Sequence, residues 1–359
     1  WLKSPTRRQY DGISFAPSDE FGENCYNIWR GYARTPQKGD CGLFWQHIES
    51  NICSGHYKDY QYVRKWLAYV FQHPGVIHTA LVLIGRQGVG KNSFVEPIGA
   101  LLGSHFLHLS SLDELLSHFN YHLKNAVLIF ANEALWGGNK KELGTLKAMI
   151  TDKTCVIEGK GKDRIMLPNY KHLIISSNED WPVHIDPDDR RFFVLRVGEA
   201  HKEDHQYFNA LQVQLERGGY DALLFDLLNE DLSEFNPRHL PTSDEAFSIK
   251  LLSAPVSHRY IYEALKEGCF DIGNVTPNGV WGNIATRSVF ADFRAWCADN
   301  GYKIEPEENL GRAIRKLIPS TEKKQDRKIG RRNKYCVNDL VTCRLEFQKE
   351  YKAGDCIWF

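Results

Sequence analysis

The sequence predicts an α/β fold, and three observations carry that expectation. Four apolar runs of strand length occur: Thr79 to Ile84, Ala126 to Ala131, His172 to Ser176 and Arg191 to Val197. They are largely continuous rather than alternating, the pattern of strands buried on both faces of a parallel sheet. Helical stretches separate them, the order expected of a sheet covered by helices. A glycine-rich loop, Gly85 to Gly90, joins the first run to a helix beginning at about Lys91.

The elements follow in chain order. Residues 1 to about 42 are rich in Gly, Pro and aromatics, show little periodicity and read as an irregular arm. Phe44 to Cys53 and Tyr57 to Gln72 are helical in pattern, with Tyr60, Val63, Trp66, Leu67, Val70 and Phe71 recurring near the 3.6 period. Pro74 and Gly75 end this second helix. Thr154 to Glu158 and Arg164 to Leu167 flank a Gly159-Lys160-Gly161-Lys162 tip and predict a hairpin. After about residue 205 the chain becomes helical, and Asn236 to Pro241 reads as a linker. Beyond it, Val289, Phe290, Phe293, Trp296 and Cys297 line one helix face and Asn300-Gly301 makes a turn. Pro306 opens a second helix with Leu310, Ile314, Leu317 and Ile318 on its buried side, and Pro319 stops it. A basic stretch and a strand, Tyr335 to Val337, complete the order of a winged helix. The expected divisions are 1–75, an arm and helical oligomerisation segment; 76–205, the α/β core; 206–242, a helical lid and linker; and 243–359, a winged-helix-like basic domain.

Composition narrows the class. Among 359 residues, 42% are hydrophobic and 25% charged, as in ordinary globular protein. No apolar run approaches the ~20 residues of a membrane span, and no signal peptide is visible, so a cytoplasmic, non-membrane protein is expected. Nine cysteines are scattered without a CxxC pair, which reads as reduced thiols, with Cys336, Cys343 and Cys356 as a loose cluster only. The chain starts at Trp1 and its only methionines are Met149 and Met166, so it is expected to be the C-terminal piece of a longer polypeptide. Formal net charge is zero, yet between Arg312 and Lys334 stand ten Lys/Arg against Glu322 and Asp326. Local potential rather than net charge attracts phosphate.

The motifs point to triphosphate chemistry. In Gly85-Arg-Gln-Gly88-Val89-Gly90-Lys91 the glycines let backbone N–H groups converge on phosphate oxygens, and Lys91 supplies charge to the β- and γ-phosphates. A helix N-terminus adds a favourable dipole. The hydroxyl that usually follows the lysine is replaced by Asn92, with Ser93 next, and either supplies an oxygen for Mg²⁺. The strand from Val127 ends in Asn132-Glu133 where two acids are usual; Glu133 keeps the position that polarises the attacking water, and Asn132 stands on the metal side. Asn178 follows the third strand, where an amide touches the γ-phosphate. Arg190 and Arg191 open the fourth strand, and one of the two is the candidate for an arginine inserted from a neighbouring subunit.

Taken in order, these stretches resemble the superfamily 3 helicases, in the branch fused to phage and plasmid primases and primase-polymerases. The matching segments are Gly85 to Ser93, Phe119 to Leu123, Val127 to Ala134, Leu146 to Ile150, Ile157 to Asp163, Asn169-Tyr170, Ser176 to Glu179 and Asp188 to Phe193. The resemblance covers roughly 75 to 200. It implies a modified AAA+ P-loop NTPase core assembled as a homo-hexamer, with ATP and Mg²⁺ bound between subunits. It further implies that Lys160 and Lys162 grip single-stranded DNA in a central channel. Arg315, Lys316, Arg331 and Arg332, on the second C-terminal helix and its basic ribbon, are the candidate contacts to duplex or forked DNA. The resulting expectation is an ATP-dependent DNA helicase domain of a viral or mobile-element replication protein, joined to a primase or polymerase and working in a bacterial host. An ATP-binding ring that loads or positions a primase without efficient unwinding is the alternative. A small-molecule kinase would leave the lysine-tipped hairpin unexplained.

Overall fold

The computed structural model describes residues 3–17, 24–75, 77–132, 140–178, 189–242, 244–270, 281–326, 332–353 and 355–358. Glu133 and Arg331 lie outside them, as does the side chain of Arg332. The chain divides into two compact units, one running to Pro241 and the other from Thr242 onward.

The first unit begins with two short strands, β1 (Gly12–Ser14) and β2 (Cys25–Asn27), which pair in parallel inside the segment read as irregular. Helix α1 (Gly42–His47) runs into a π-helical turn (Ile48–Ile52), followed by α2 (Tyr57–Gln72). Next come β3 (Ala80–Ile84), α3 (Lys91–Leu102), β4 (Phe106–Leu109), α4 (Leu112–Leu116), β5 (Leu128–Ala131) and α5 (Lys140–Thr151). The hairpin β6 (Thr154–Ile157) and β7 (Ile165–Pro168) leads into β8 (His172–Ser177), then β9 (Phe192–Arg196), α6 (His205–Gln214) and α7 (Tyr220–Asn229).

Five strands form one parallel sheet in the order β4-β5-β8-β3-β9. All residues of β3, β5 and β8 are buried, which is why their sequences read as unbroken apolar runs. The edge strand β4 is partly exposed, with His108 facing solvent, so it lacked that signal. From β3 the chain crosses to the far edge at β4 and returns through β5 and β8, leaving β3 between two later strands. Such an interruption opens a crevice at the carboxyl ends of the strands, the usual ligand position in an open α/β sheet. The buried faces of α2 and α7, among them Trp66, Leu67 and Leu224, join this core. Trp66 donates its indole N–H to Thr79 Oγ1 at 3.0 Å, fixing the approach to β3.

The second unit contains α8 (Asp244–Ser253), α9 (Val256–Glu267), β10 (Ile284–Ala285), α10 (Thr286–Asp299), α11 (Glu307–Leu317), β11 (Glu322–Asp326), β12 (Arg332–Cys336) and α12 (Leu340–Tyr351). Its sheet is antiparallel in the order β10-β12-β11. Tyr260, Phe293, Ile314, Leu317, Phe347 and Tyr351 belong to its core. Among the described residues no helix is long and apolar enough to cross a membrane.

Candidate functional site

The loop after β3 closes one side of a cleft of about 480 Å³, lined by Arg86 to Ser93, Asn132, Asn178, Glu203, His205 and Phe208. Gly88 and Gly90 sit at φ +80° and +97°, a region L side chains rarely adopt. A Cβ on Gly90 would also lie 2.7 Å from a Phe208 ring carbon and 2.8 Å from the His47 ring. Only glycine fits there.

Three successive loop carbonyls are held by groups from outside the loop. Gly88 O accepts from Glu203 N–H at 3.1 Å. Val89 O accepts from Asn51 Nδ2 at 2.6 Å. Gly90 O pairs with His47 Nε2 at 3.1 Å. In a trans peptide the N–H points opposite the preceding C=O. Anchoring these three oxygens therefore turns the N–H groups of Val89, Gly90 and Lys91 away from the anchoring groups, and a row of such amides is suited to anion binding.

His47 is fully buried, and burial pushes its imidazole down to about 4, with nearby His201 adding to the fall and the Gly90 bond opposing it. The ring is therefore neutral at pH 7. Since a carbonyl can only accept, Nε2 carries the proton, and Nδ1 accepts from Tyr207 O–H at 3.1 Å. Neither His47 nor Asn51 was singled out in the sequence. The available signal was two polar residues four apart, on a stretch whose neighbours Phe44, Trp45, Ile48 and Ile52 are all buried.

Lys91 is buried at the foot of α3. Its ammonium donates to Gly85 O, to Arg86 O at 3.1 Å and to Asn178 Oδ1 at 2.8 Å. Thus the fold brings together Lys91 and Asn178, which are 87 positions apart. Ser176 Oγ donates to Asn132 Oδ1 at 2.6 Å, tying the end of β5 to β8. Asn92 is exposed and its amide N–H₂ reaches Glu96 at 3.5 Å. Ser93 also lines the cleft. Asn92, Ser93 and Asn132, the residues expected to face a metal, offer only neutral side-chain oxygens. They suit a Mg²⁺ that arrives with phosphate oxygens to balance its charge, better than an ion held by protein alone. Among the described residues no cluster of three or more His, Cys, Asp or Glu could hold a metal.

Arg190 and Arg191 stand at the other end of the sheet. Ala80 N–H donates to Arg191 O at 2.7 Å, at the amino end of β3, whereas the loop follows its carboxyl end. The strand between them spans roughly 13 Å. The two arginines are therefore not brought to their own chain's cleft; Arg190 is exposed and Arg191 half-buried.

The hairpin tip carries exposed Lys160 and Lys162, with Gly161 at φ +70° making the turn. Its base is fixed by Arg164 Nε bonding Glu158 at 2.7 Å. Asn120 clamps one strand, accepting from Glu158 N–H at 2.8 Å and donating to Val156 O at 2.9 Å. The Lys162 ammonium lies 4.2 Å from the ring centre of exposed Tyr121. Sequence reasoning placed 119–123 among its matching segments without giving Asn120 and Tyr121 these tasks.

In the second unit, α11 buries Leu310, Ala313, Ile314 and Leu317 and exposes Arg312, Arg315 and Lys316. Lys316 is paired with Glu350 of α12 at 3.2 Å. A Cβ on Gly311 would meet Tyr335 Oη at 3.1 Å, so the ribbon strand β12 packs close on this helix.

A family described as being of unknown function, DUF5906, matches residues 83–191. A 141-residue stretch is 32% identical to the DNA primase-polymerase of Nitratiruptor phage NrS-1, covering 38% of this chain and 20% of that protein. The matched stretch thus spans about a fifth of the length of the curated relative. Two solved apo structures of the NrS-1 C-terminal region share the fold: one superposes with a TM-score of 0.69 at 20% identity, covering 91% of this chain and 84% of that one. The other gives 0.70 at 19% identity, covering 91% and 85%.

Proposed function

We propose that the first unit is an AAA+-type P-loop ATPase, and that the chain is the helicase part of a phage or mobile-element replication protein. In this reading it assembles as a homo-hexamer in the cytoplasm of a bacterial host, translocates on single-stranded DNA and is joined to a primase or polymerase. The contact that carries it is Lys91 to Asn178 at 2.8 Å, in a cleft floored by a loop with three anchored carbonyls. A strand-loop-helix lysine and an amide from the neighbouring strand then face one triphosphate terminus. Similarity to the phage primase-polymerase and the exposed Lys160 and Lys162 support the DNA part.

Lys91 would neutralise the β- and γ-phosphates, Asn178 would orient the γ-phosphate, and Glu133 would polarise water. Mg²⁺, carried by the nucleotide and touched by Ser93 or Asn92, would supply charge neutralisation at the phosphates. Arg190, exposed and remote from its own cleft, would act on a neighbour's nucleotide. The test is unwinding of a forked duplex with ATP, by wild type and Lys91→Ala, with oligomeric state measured alongside. Unwinding by wild type alone is expected; equal unwinding by both removes the mechanism.

One observation favours the ring-scaffold reading. Asn132 replaces an acid and its oxygen is engaged by Ser176, so the metal side lacks a carboxylate there. Nucleotide binding without DNA-stimulated phosphate release would select that reading.

A further inference from the structure

The cleft is lined by two chemically different sets of residues: Lys91, Asn132 and Asn178, and Glu203, His205 and Phe208. Glu203 has φ +60°, the left-handed region that a non-glycine residue enters only against steric resistance. It is fastened on both sides: its N–H donates to Gly88 O at 3.1 Å, and its carbonyl accepts from His205 N–H at 3.0 Å. Its side chain runs along the loop, with Cγ 3.3 Å and Oε1 4.0 Å from where a Gly88 Cβ would be. The fold thus holds a carboxylate, in a strained backbone setting, against a loop suited to anions.

A carboxylate repels phosphate, so it cannot serve that part of a nucleotide. It accepts hydrogen bonds strongly. The donors a nucleotide offers beyond its phosphates are the ribose hydroxyls and, further out, an exocyclic amine. Glu203 is tethered directly to the loop by one backbone bond, and the sugar is the group that follows the phosphates. Resting on the nucleotide reading above, we propose that the Glu203 carboxylate accepts from the ribose hydroxyls and makes the cleft selective for ribonucleoside over 2′-deoxyribonucleoside triphosphates. Phe208, whose ring lies close to Gly90, and His205 line the same cleft.

Binding of ATP, 2′-deoxy-ATP, 3′-deoxy-ATP and ITP is measured for wild type, Glu203→Gly, Glu203→Ala and Glu203→Gln. One charge-assisted bond predicts about tenfold weaker binding of the deoxy sugar that lacks the contacted hydroxyl. Glu203→Gly, which relieves the backbone and removes the carboxylate with the rest of the side chain, should bring that ratio close to one, and Glu203→Ala should do the same. Glu203→Gln should retain a smaller preference. Equal affinity of wild type for ATP and both deoxy forms overturns the proposal. So does a preference that survives in Glu203→Gly, or discrimination of ITP alone, which would assign the carboxylate to the exocyclic amine. Failure of wild type to bind any of the four is a different result: it overturns the nucleotide reading itself, and this proposal with it.

Discussion

The cleft of the first unit and the basic face of the second use polar groups in opposite ways. In the cleft, loop carbonyls are anchored by His47, Asn51 and Glu203, and Lys91 bonds three acceptors. On α11, Arg312 and Arg315 are exposed, and Lys316 is paired with the carboxylate of Glu350. The first arrangement is preorganised: its dipoles are set before a ligand arrives, so little reorganisation is needed on binding. The second is a field of long, solvated side chains that suits many phosphate geometries and screens with salt. The difference teaches where substitutions should act, through structure in the cleft and through charge on the helix.

Acid should separate the two regions most strongly. Burial, as the leading cause, lowers His47 and His172 of the first unit and His258 of the second from 6.5 to about 4. Each imidazole takes up a proton below 6.5 when unfolded but not until about 4 when folded. The unfolded state therefore binds more protons in that window. Stability is fully present above 6.5 and is lost as pH falls toward 4. The loss approaches roughly 3 kcal/mol for each imidazole. Calorimetry at pH 7 and pH 4.5 should show at least twice the fall in the first unit, where burial lowers His78 and His105 as well, and His258→Gln should remove the second unit's share. Equal pH dependence of both transitions breaks the contrast.

A pair of glycines sharpens it. Gly90 combines φ +97° with ring atoms inside 3 Å of any Cβ. Gly301, in the turn between α10 and α11, has φ +70° with open space around it. Gly90→Ala should therefore lose nucleotide binding and roughly 3 kcal/mol of stability, strain and overpacking together. Gly301→Ala should lose about 1 kcal/mol from strain alone. Urea midpoints and ATP titration of both variants check this, and similar losses would mean that crowding at Gly90 is relieved by movement of Phe208.

The same contrast decides what could be read from the chain. The strands β3, β5, β8 and β9 announced themselves because burial on both faces leaves unbroken apolar runs, and the lysine and amide at their ends followed from order. β4 was missed because an edge strand carries exposed His108. His47 and Asn51 were missed because they reach the loop from about forty residues earlier, where nothing local connects them to Gly90 and Val89. Glu203 was missed because a left-handed φ on a glutamate leaves no trace in the sequence. On α11 the amphipathic pattern gave the helix and its cations directly, since exposure needs no tertiary information.

Charge should give the smallest effects, and they differ in kind. Lys160 and Lys162 are exposed at a tip whose base is braced by Asn120 and the Glu158–Arg164 pair. Replacing both by Ala should leave the fold intact and lower the slope of log affinity against log salt for single-stranded DNA by about 0.7 for each lost phosphate contact. Arg315→Ala should leave that slope unchanged and reduce the duplex slope by about 0.9. Lys316→Ala should do less, because its ammonium already has Glu350 as a partner. Fluorescence anisotropy over a range of salt concentrations measures all three. A fall in the single-strand slope on Arg315→Ala would show that the helix of the second unit, rather than the hairpin alone, holds the single strand.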